Sequence, residues 1–245
     1  MSDSKPARLF IALVVVSGLA VLGAALPHPR SDNYLRFVAF FLAACLAGRL
    51  RVKLPGLTGS LSVNLPFILI AVAALTAAES LLIGCFSTLV QCLPRARRKF
   101  NFVQAAFNFS NMALSIGAAR FFYHSHTAAE AVPSHSLLLA IAAAAYFVVN
   151  SFPVAVIISL TESKSVLRAW KEMFQLSFPY FALSAGMAGV AIALPVPAGL
   201  AVPAALLPLM LMVFLSYKRY FLTAVSTPRT AFEQDSKSVA TRATS

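Results

Sequence analysis

Four amide or hydroxyl side chains recur along one apolar stretch: Gln104, Asn108, Asn111 and Ser115, spaced by four, three and four. On a helix this spacing stacks all four on one face. A second set, Gly84, Ser87, Thr88 and Gln91, stands earlier in the chain, and Tyr146 and Asn150 stand one turn apart later in it. Asn150-Ser151-Phe152-Pro153 then interrupts the helical pattern, because proline has no N–H to give and frees a carbonyl. Asn64 precedes Pro66 by two residues near the start of another apolar stretch. All these groups are neutral donors and acceptors. Two readings stay open: they tie helices together, or they line a cavity for a small neutral ligand near discontinuous helices. Under the second reading the ligand-lining residues are Gln104, Asn108, Asn111, Ser115, Gln91, Thr88, Tyr146 and Asn150.

Other chemistries find little support. No nucleophile–base pattern, HExxH, GxSxG or paired carboxylates occur, and Gly56-Leu57-Thr58-Gly59-Ser60 lacks the Gly-Lys-Ser/Thr of a phosphate loop. No Asp, Glu, Lys or Arg lies near the centre of an apolar stretch, which disfavours proton or sodium coupling. The expectation is a protein that is not an enzyme and needs no cofactor. His124, His126 and His135, with Glu130, are ligand types for zinc, but zinc wants three or four ligands in fixed geometry. These histidines and His28 read as solvated loop residues, with a pH response as the alternative. Cys45, Cys85 and Cys92 form no CxxC and read as small packing residues.

The medium that must hold these residues follows from composition. Of 245 residues, 59 % are hydrophobic and only 11 % are charged, with a mean hydropathy of +0.80. An average globular domain is about 45–50 % apolar and about 25 % charged. A soluble enzyme, a disordered chain and a secreted disulfide scaffold are excluded, and an integral membrane protein is indicated. Crossing a bilayer takes about 20 mostly apolar residues. Eight candidate spans result: Leu9–Leu26, Tyr34–Leu50, Ser60–Thr76, Ser80–Leu93, Phe100–Phe122, Leu137–Leu160, Phe178–Leu194 and Leu200–Tyr217. The third and fourth come from one long tract split at Ala77-Ala78-Glu79. A re-entrant arrangement there would leave six or seven crossings. The first span starts basic and ends on Gly23-Ala24-Ala25, as a signal peptide would. Its apolar run exceeds the usual h-region, so it reads as an uncleaved anchor.

Basic residues set the orientation, because loops rich in Lys and Arg stay in the cytoplasm. With the N-terminus inside and eight spans, all of the 20 Lys and Arg except Arg30, Arg36 and Arg120 fall on the inner side. Asp32, Glu79 and Glu130 balance those three, so the net charge of +12 belongs to one face. Short basic loops beside spans read as topology signals that contact anionic lipid, not as a nucleic-acid surface. Between the sixth and seventh spans, Ser163–Gln175 puts Val166, Leu167, Trp170, Met173 and Phe174 on one side and Lys164, Arg168, Lys171 and Glu172 on the other. That pattern predicts an interfacial amphipathic helix. Four-residue small pairs, Ala44/Gly48, Ala182/Gly186 and Ala185/Gly189, predict close helix packing. Residues 1–220 thus read as one all-α polytopic bundle, N-in and C-in, and residues 221–245 as a disordered cytoplasmic tail.

Several stretches carry a family resemblance. Arg49–Ile70 (RLRVKLPGLTGSLSVNLPFILI), Cys85–Leu93 (CFSTLVQCL), Phe107–Ser115 (FNFSNMALS), Tyr146–Ser151 (YFVVNS) and Ser177–Gly189 (SFPYFALSAGMAG) resemble the multi-span N-terminal membrane domain of certain bacterial signalling proteins. There the membrane part precedes a diguanylate cyclase or an HD-type phosphodiesterase. The resemblance covers residues 34–220, and its motifs are not catalytic signatures. It implies a sensor-like or small-molecule-binding membrane module. The first reading is such a module of the bacterial inner membrane, signalling to a protein partner at its cytoplasmic face through Lys218–Tyr220. Phe221–Ser245 holds no output domain, so a stand-alone module is expected and cyclic-dinucleotide chemistry is not carried over. Gly59-Ser60-Leu61-Ser62 leading to Pro66 is similar to the substrate-binding subunit of energy-coupling-factor vitamin transporters. That implies an alternative, a transport subunit for a small neutral solute. A membrane scaffold without a ligand is the third reading.

Overall fold

The computed structural model describes residues 5–25, 27, 33–53, 60–94, 100–125, 130, 132, 134–162, 164–194 and 200–220. Among these, eight helices form a bundle: α1 Lys5–Ala25, α2 Tyr34–Arg49, α3 Leu65–Ala74, α4 Ala77–Cys92, α5 Phe102–His124, α6 His135–Glu162, α7 Val166–Ala193 and α8 Ala201–Tyr220. A short antiparallel ribbon, β1 Arg51–Lys53 and β2 Ser60–Ser62, joins α2 to α3, with Arg51 opposite Ser62. α1, α6, α7 and α8 are long and apolar enough to cross a membrane by length and composition. α5 has the length too, but its polar residues dilute it.

Local chemistry starts several helices. The Asn33 side chain accepts from Arg36 N at 3.1 Å, and Asn101 accepts from Gln104 N at 3.1 Å. α4 opens on a capping box: Thr76 Oγ1 accepts from Glu79 N, and the Glu79 carboxylate accepts from Thr76 N. Pro66 sits in the first turn of α3, where its missing N–H costs nothing.

α3 lies at the centre. Every residue from Leu65 to Val72 is buried, and α2, α4, α5 and α7 surround it. α1 packs on α5, α2 on α4, and α6 between α5 and α7. α8 adds Leu206 and Met210 to the core. Two contacts bring backbones together. A methyl on Gly18 of α1 would lie 2.6 Å from Ser110 Cα of α5, and one on Gly48 of α2 would lie 2.9 Å from Ser87 O of α4. The outer surface is apolar, with Leu9, Leu13, Val16 and Leu19 of α1 and Leu209, Leu211, Met212 and Leu215 of α8 all exposed. Lipid tolerates such a surface and water does not.

The β1–β2 ribbon was not expected, and two helical stretches also differ from the sequence expectation. The third span was expected over Ser60–Thr76, but only Leu65–Ala74 is helical. Ten residues rise about 15 Å, half of a hydrocarbon core of about 30 Å. α3 does not need that length, because protein encloses it and other helices satisfy its ends. The amphipathic stretch expected as a separate element over 163–175 runs without a break into the seventh span as the first turns of α7. The turn at Pro195–Gly199, the basic loop Arg95–Lys99 and the tail 221–245 lie outside the described residues.

Candidate functional site

One polar cluster gathers where the ribbon meets α3 and α4. Asn64 Oδ1 accepts from Ser62 Oγ at 2.6 Å and from Gln91 Nε2 at 3.3 Å, while Asn64 Nδ2 donates to Ser87 Oγ at 2.9 Å. Gln91 Nε2 also donates to Ser62 Oγ. Ser87 Oγ and Thr88 Oγ1 both donate to Gly84 O at 2.9 Å. From α7, the Tyr180 hydroxyl accepts from Leu65 N at 3.3 Å and so holds the first turn of α3. At the edge of this cluster, Arg49 Nη1 donates to Val90 O (3.5 Å) and Arg51 Nη2 to Leu93 O (3.2 Å), meeting the free carbonyls of α4's last turn.

A second cluster lies between α5 and α6. Asn111 Nδ2 donates to the backbone carbonyl of Asn150 at 2.9 Å. Ser115 Oγ turns back to Asn111 O at 2.7 Å, and the Tyr146 hydroxyl donates to Met112 Sδ at 3.1 Å. Asn111 is 3 % exposed, yet its Oδ1 is buried without a hydrogen-bond partner. Among the described residues, Arg36 Nε shares that condition. A buried acceptor left unmet costs about 1–3 kcal/mol. Among the described residues, Asn111 Oδ1 is thus a buried acceptor that a visiting donor could meet.

A third group closes the opposite end of α3. Arg120 Nη1 donates to Val72 O at 3.0 Å and to Leu75 O at 2.8 Å, and His124 Nε2 lies 2.9 Å from Val72 O. Cationic and donor groups thus sit on the carbonyl end of α3, while Glu79 sits at the amide end of α4. His124 was expected as a solvated loop residue; it is exposed, but it is the last residue of α5 and in reach of α3. Sequence reasoning gave no role to Arg120 beyond its charge. Its position one turn before His124 on the same face was the available signal. His28 and His126 lie outside the described residues; within them, no three His, Cys, Asp or Glu come together as a metal site.

The eight residues expected to line one cavity divide between locations. Asn111, Ser115, Tyr146 and Asn150 come together at α5–α6, where Asn150 is half-buried and the other three are buried. Gln91 belongs to the α3–α4 cluster, and Thr88 is buried against its own helix. Asn108 is half-buried and donates to Cys92 Sγ of α4 at 3.5 Å. Gln104 is exposed in the first turn of α5, away from the others. Nothing in the sequence set Tyr180 apart from the other span aromatics; Trp170 was placed only on the apolar side of the amphipathic stretch, and its indole Nε1 donates to Ser151 Oγ at 2.9 Å.

A family model, MASE9, matches residues 9–221. No curated protein and no solved structure matches the chain.

Proposed function

We propose, because the chain belongs to the MASE9 family of membrane-associated sensory domains, that it is a multi-pass sensor of a bacterial inner membrane that takes a small neutral ligand between α5 and α6 and performs no catalysis. One atom carries the reading: Asn111 Oδ1, buried and unmet beside Asn150. A ligand N–H or O–H placed there would relieve the cost of the buried acceptor, and Tyr146 and Ser115 are adjacent polar neighbours. In this reading the N-terminus and the end of α8 face the cytoplasm. Arg49, Arg51, Lys164, Arg168 and Lys171 meet anionic lipid, and Lys218–Tyr220 lead to a protein partner.

Thermal unfolding of the purified chain against a panel of neutral compounds with one N–H or O–H donor tests the site. A true ligand at about 100 times its Kd stabilises by about 2.7 kcal/mol. Asn111→Leu is expected to abolish that shift. The unliganded stability should change by no more than about 1 kcal/mol, since an interhelical amide bond in a membrane averages about 0.6 kcal/mol. A compound that stabilises both forms equally, or a panel in which none stabilises the wild type, counts against the site. Accumulation of a stabilising compound inside sealed vesicles would favour the transport-subunit alternative.

A further inference from the structure

Residues 150–153 of α6 are gripped from two sides. Pro153 has no N–H, so the carbonyl of Val149 loses its helical donor and α6 is weakest at this point. There the Asn111 side chain of α5 donates to the Asn150 carbonyl at 2.9 Å. One residue on, Ser151 Oγ, itself bonded to Phe147 O at 2.7 Å, accepts from Trp170 Nε1 of α7 at 2.9 Å. The Phe152 ring stands edge-on to Trp170 at 6.4 Å, and Trp170 continues to Phe174 at 6.0 Å. Phe174 in turn meets Phe147 at 5.5 Å and stacks on Phe178 at 4.7 Å. Beyond the proline, Pro153–Glu162 and the start of α7 form a hairpin tip, tied by Ser159 Oγ to Lys164 O at 2.6 Å. The tip carries Lys164, Arg168 and Lys171.

We infer that Pro153 is a hinge, Asn111 its latch on α5, and Trp170 the contact that passes the hinge angle to the basic α6–α7 tip. Residue 153 cannot resist bending through its own hydrogen bond, so the angle is set by whatever holds the neighbouring carbonyls. Only one strong contact per side is needed: the amide from α5 fixes the upper segment, and the indole on Ser151 makes α7 follow it. Nine residues of helix beyond the hinge, about 14 Å, convert a small change of angle into a larger displacement of the tip. The device works with or without a ligand at Asn111 and does not rest on the proposed function.

Trp170 is the single tryptophan of the chain, so its fluorescence reads this contact directly. The purified, ligand-free protein is measured in detergent micelles. Asn111→Leu is expected to shift the Trp170 emission maximum and to raise its acrylamide quenching constant, as the indole loses its fixed seat on Ser151. Asn108→Leu makes the same chemical change one turn away, on a residue bonded to α4, and is expected to leave both unchanged. Pro153→Ala restores an N–H to α6 and is expected to erase the effect of Asn111→Leu. The hinge is overturned if Asn111→Leu moves Trp170 no more than Asn108→Leu does, or if its effect persists undiminished in the Pro153→Ala background. Should Asn111→Leu fail to fold, Pro153→Ala alone decides: emission identical to wild type overturns the proposal.

Discussion

Three hydrogen bonds converge on Asn64, and their value depends on where the residue sits. It is buried, so losing its side chain removes a partner from each of Ser62, Ser87 and Gln91. Asn64→Ala is expected to lower stability by about 1–3 kcal/mol, the cost of buried groups left unpaired, measured by thermal unfolding in detergent. Ser115→Ala removes a bond made only to its own helix, at Asn111 O. It is expected to change stability by about 0.5 kcal/mol or less, within the ordinary range for a substitution that breaks no shared network. The sequence marked Asn64 and Ser115 alike as polar groups in apolar stretches. It could not rank them, because the ranking comes from partners as far away as Ser87.

At the scale of elements, the α3–α4 hairpin is held by its ends. Thr76→Ala breaks the capping box of α4 and is expected to cost about 1 kcal/mol. Arg120→Leu strips charged donors from Val72 O and Leu75 O and is expected to cost about 1.5–3 kcal/mol, more than the cap. The order reverses if α3's carbonyl end relies on His124 alone. Helix pairing depends on backbone approach in the same way. Gly18→Val is expected to destabilise by about 1–3 kcal/mol, because the added atoms meet the backbone of Ser110. The start of α2 at Tyr34 was legible, but the fourth and fifth spans were expected from Ser80 and Phe100, whereas the caps at Thr76 and Asn101 start α4 at Ala77 and α5 at Phe102. The short length of α3 was not legible. Leu65–Ala74 is as apolar as a true span, and hydropathy does not separate a helix wrapped in lipid from one wrapped in protein.

Across the whole molecule, the separation of charge becomes a statement about orientation. Arg49 and Arg51 stand at the end of α2, and Lys164, Arg168 and Lys171 at the α6–α7 turn. Reporter fusions after residue 223 and within residues 127–134 are expected to report cytoplasmic and external positions respectively; the opposite result rejects the orientation. Near that turn, the Glu162 carboxylate accepts from Lys164 and holds its ammonium above the ordinary lysine range. Composition alone determined that lipid is this chain's solvent, because no arrangement of so few charges could coat a core in water. Amide spacing placed Gln104, Asn108, Asn111 and Ser115 on one face of α5, of which Asn111 and Ser115 are buried and Gln104 is exposed. Only the tertiary structure decided that the polar residues divide into a closed network at α3 and an open acceptor at Asn111, and that Trp170 grips the helix Pro153 weakens. Hydrogen bonds such as that from Leu65 N to the Tyr180 hydroxyl join residues 115 apart in sequence. Their partners are chosen by how helices pack, and local pattern carries no record of that choice.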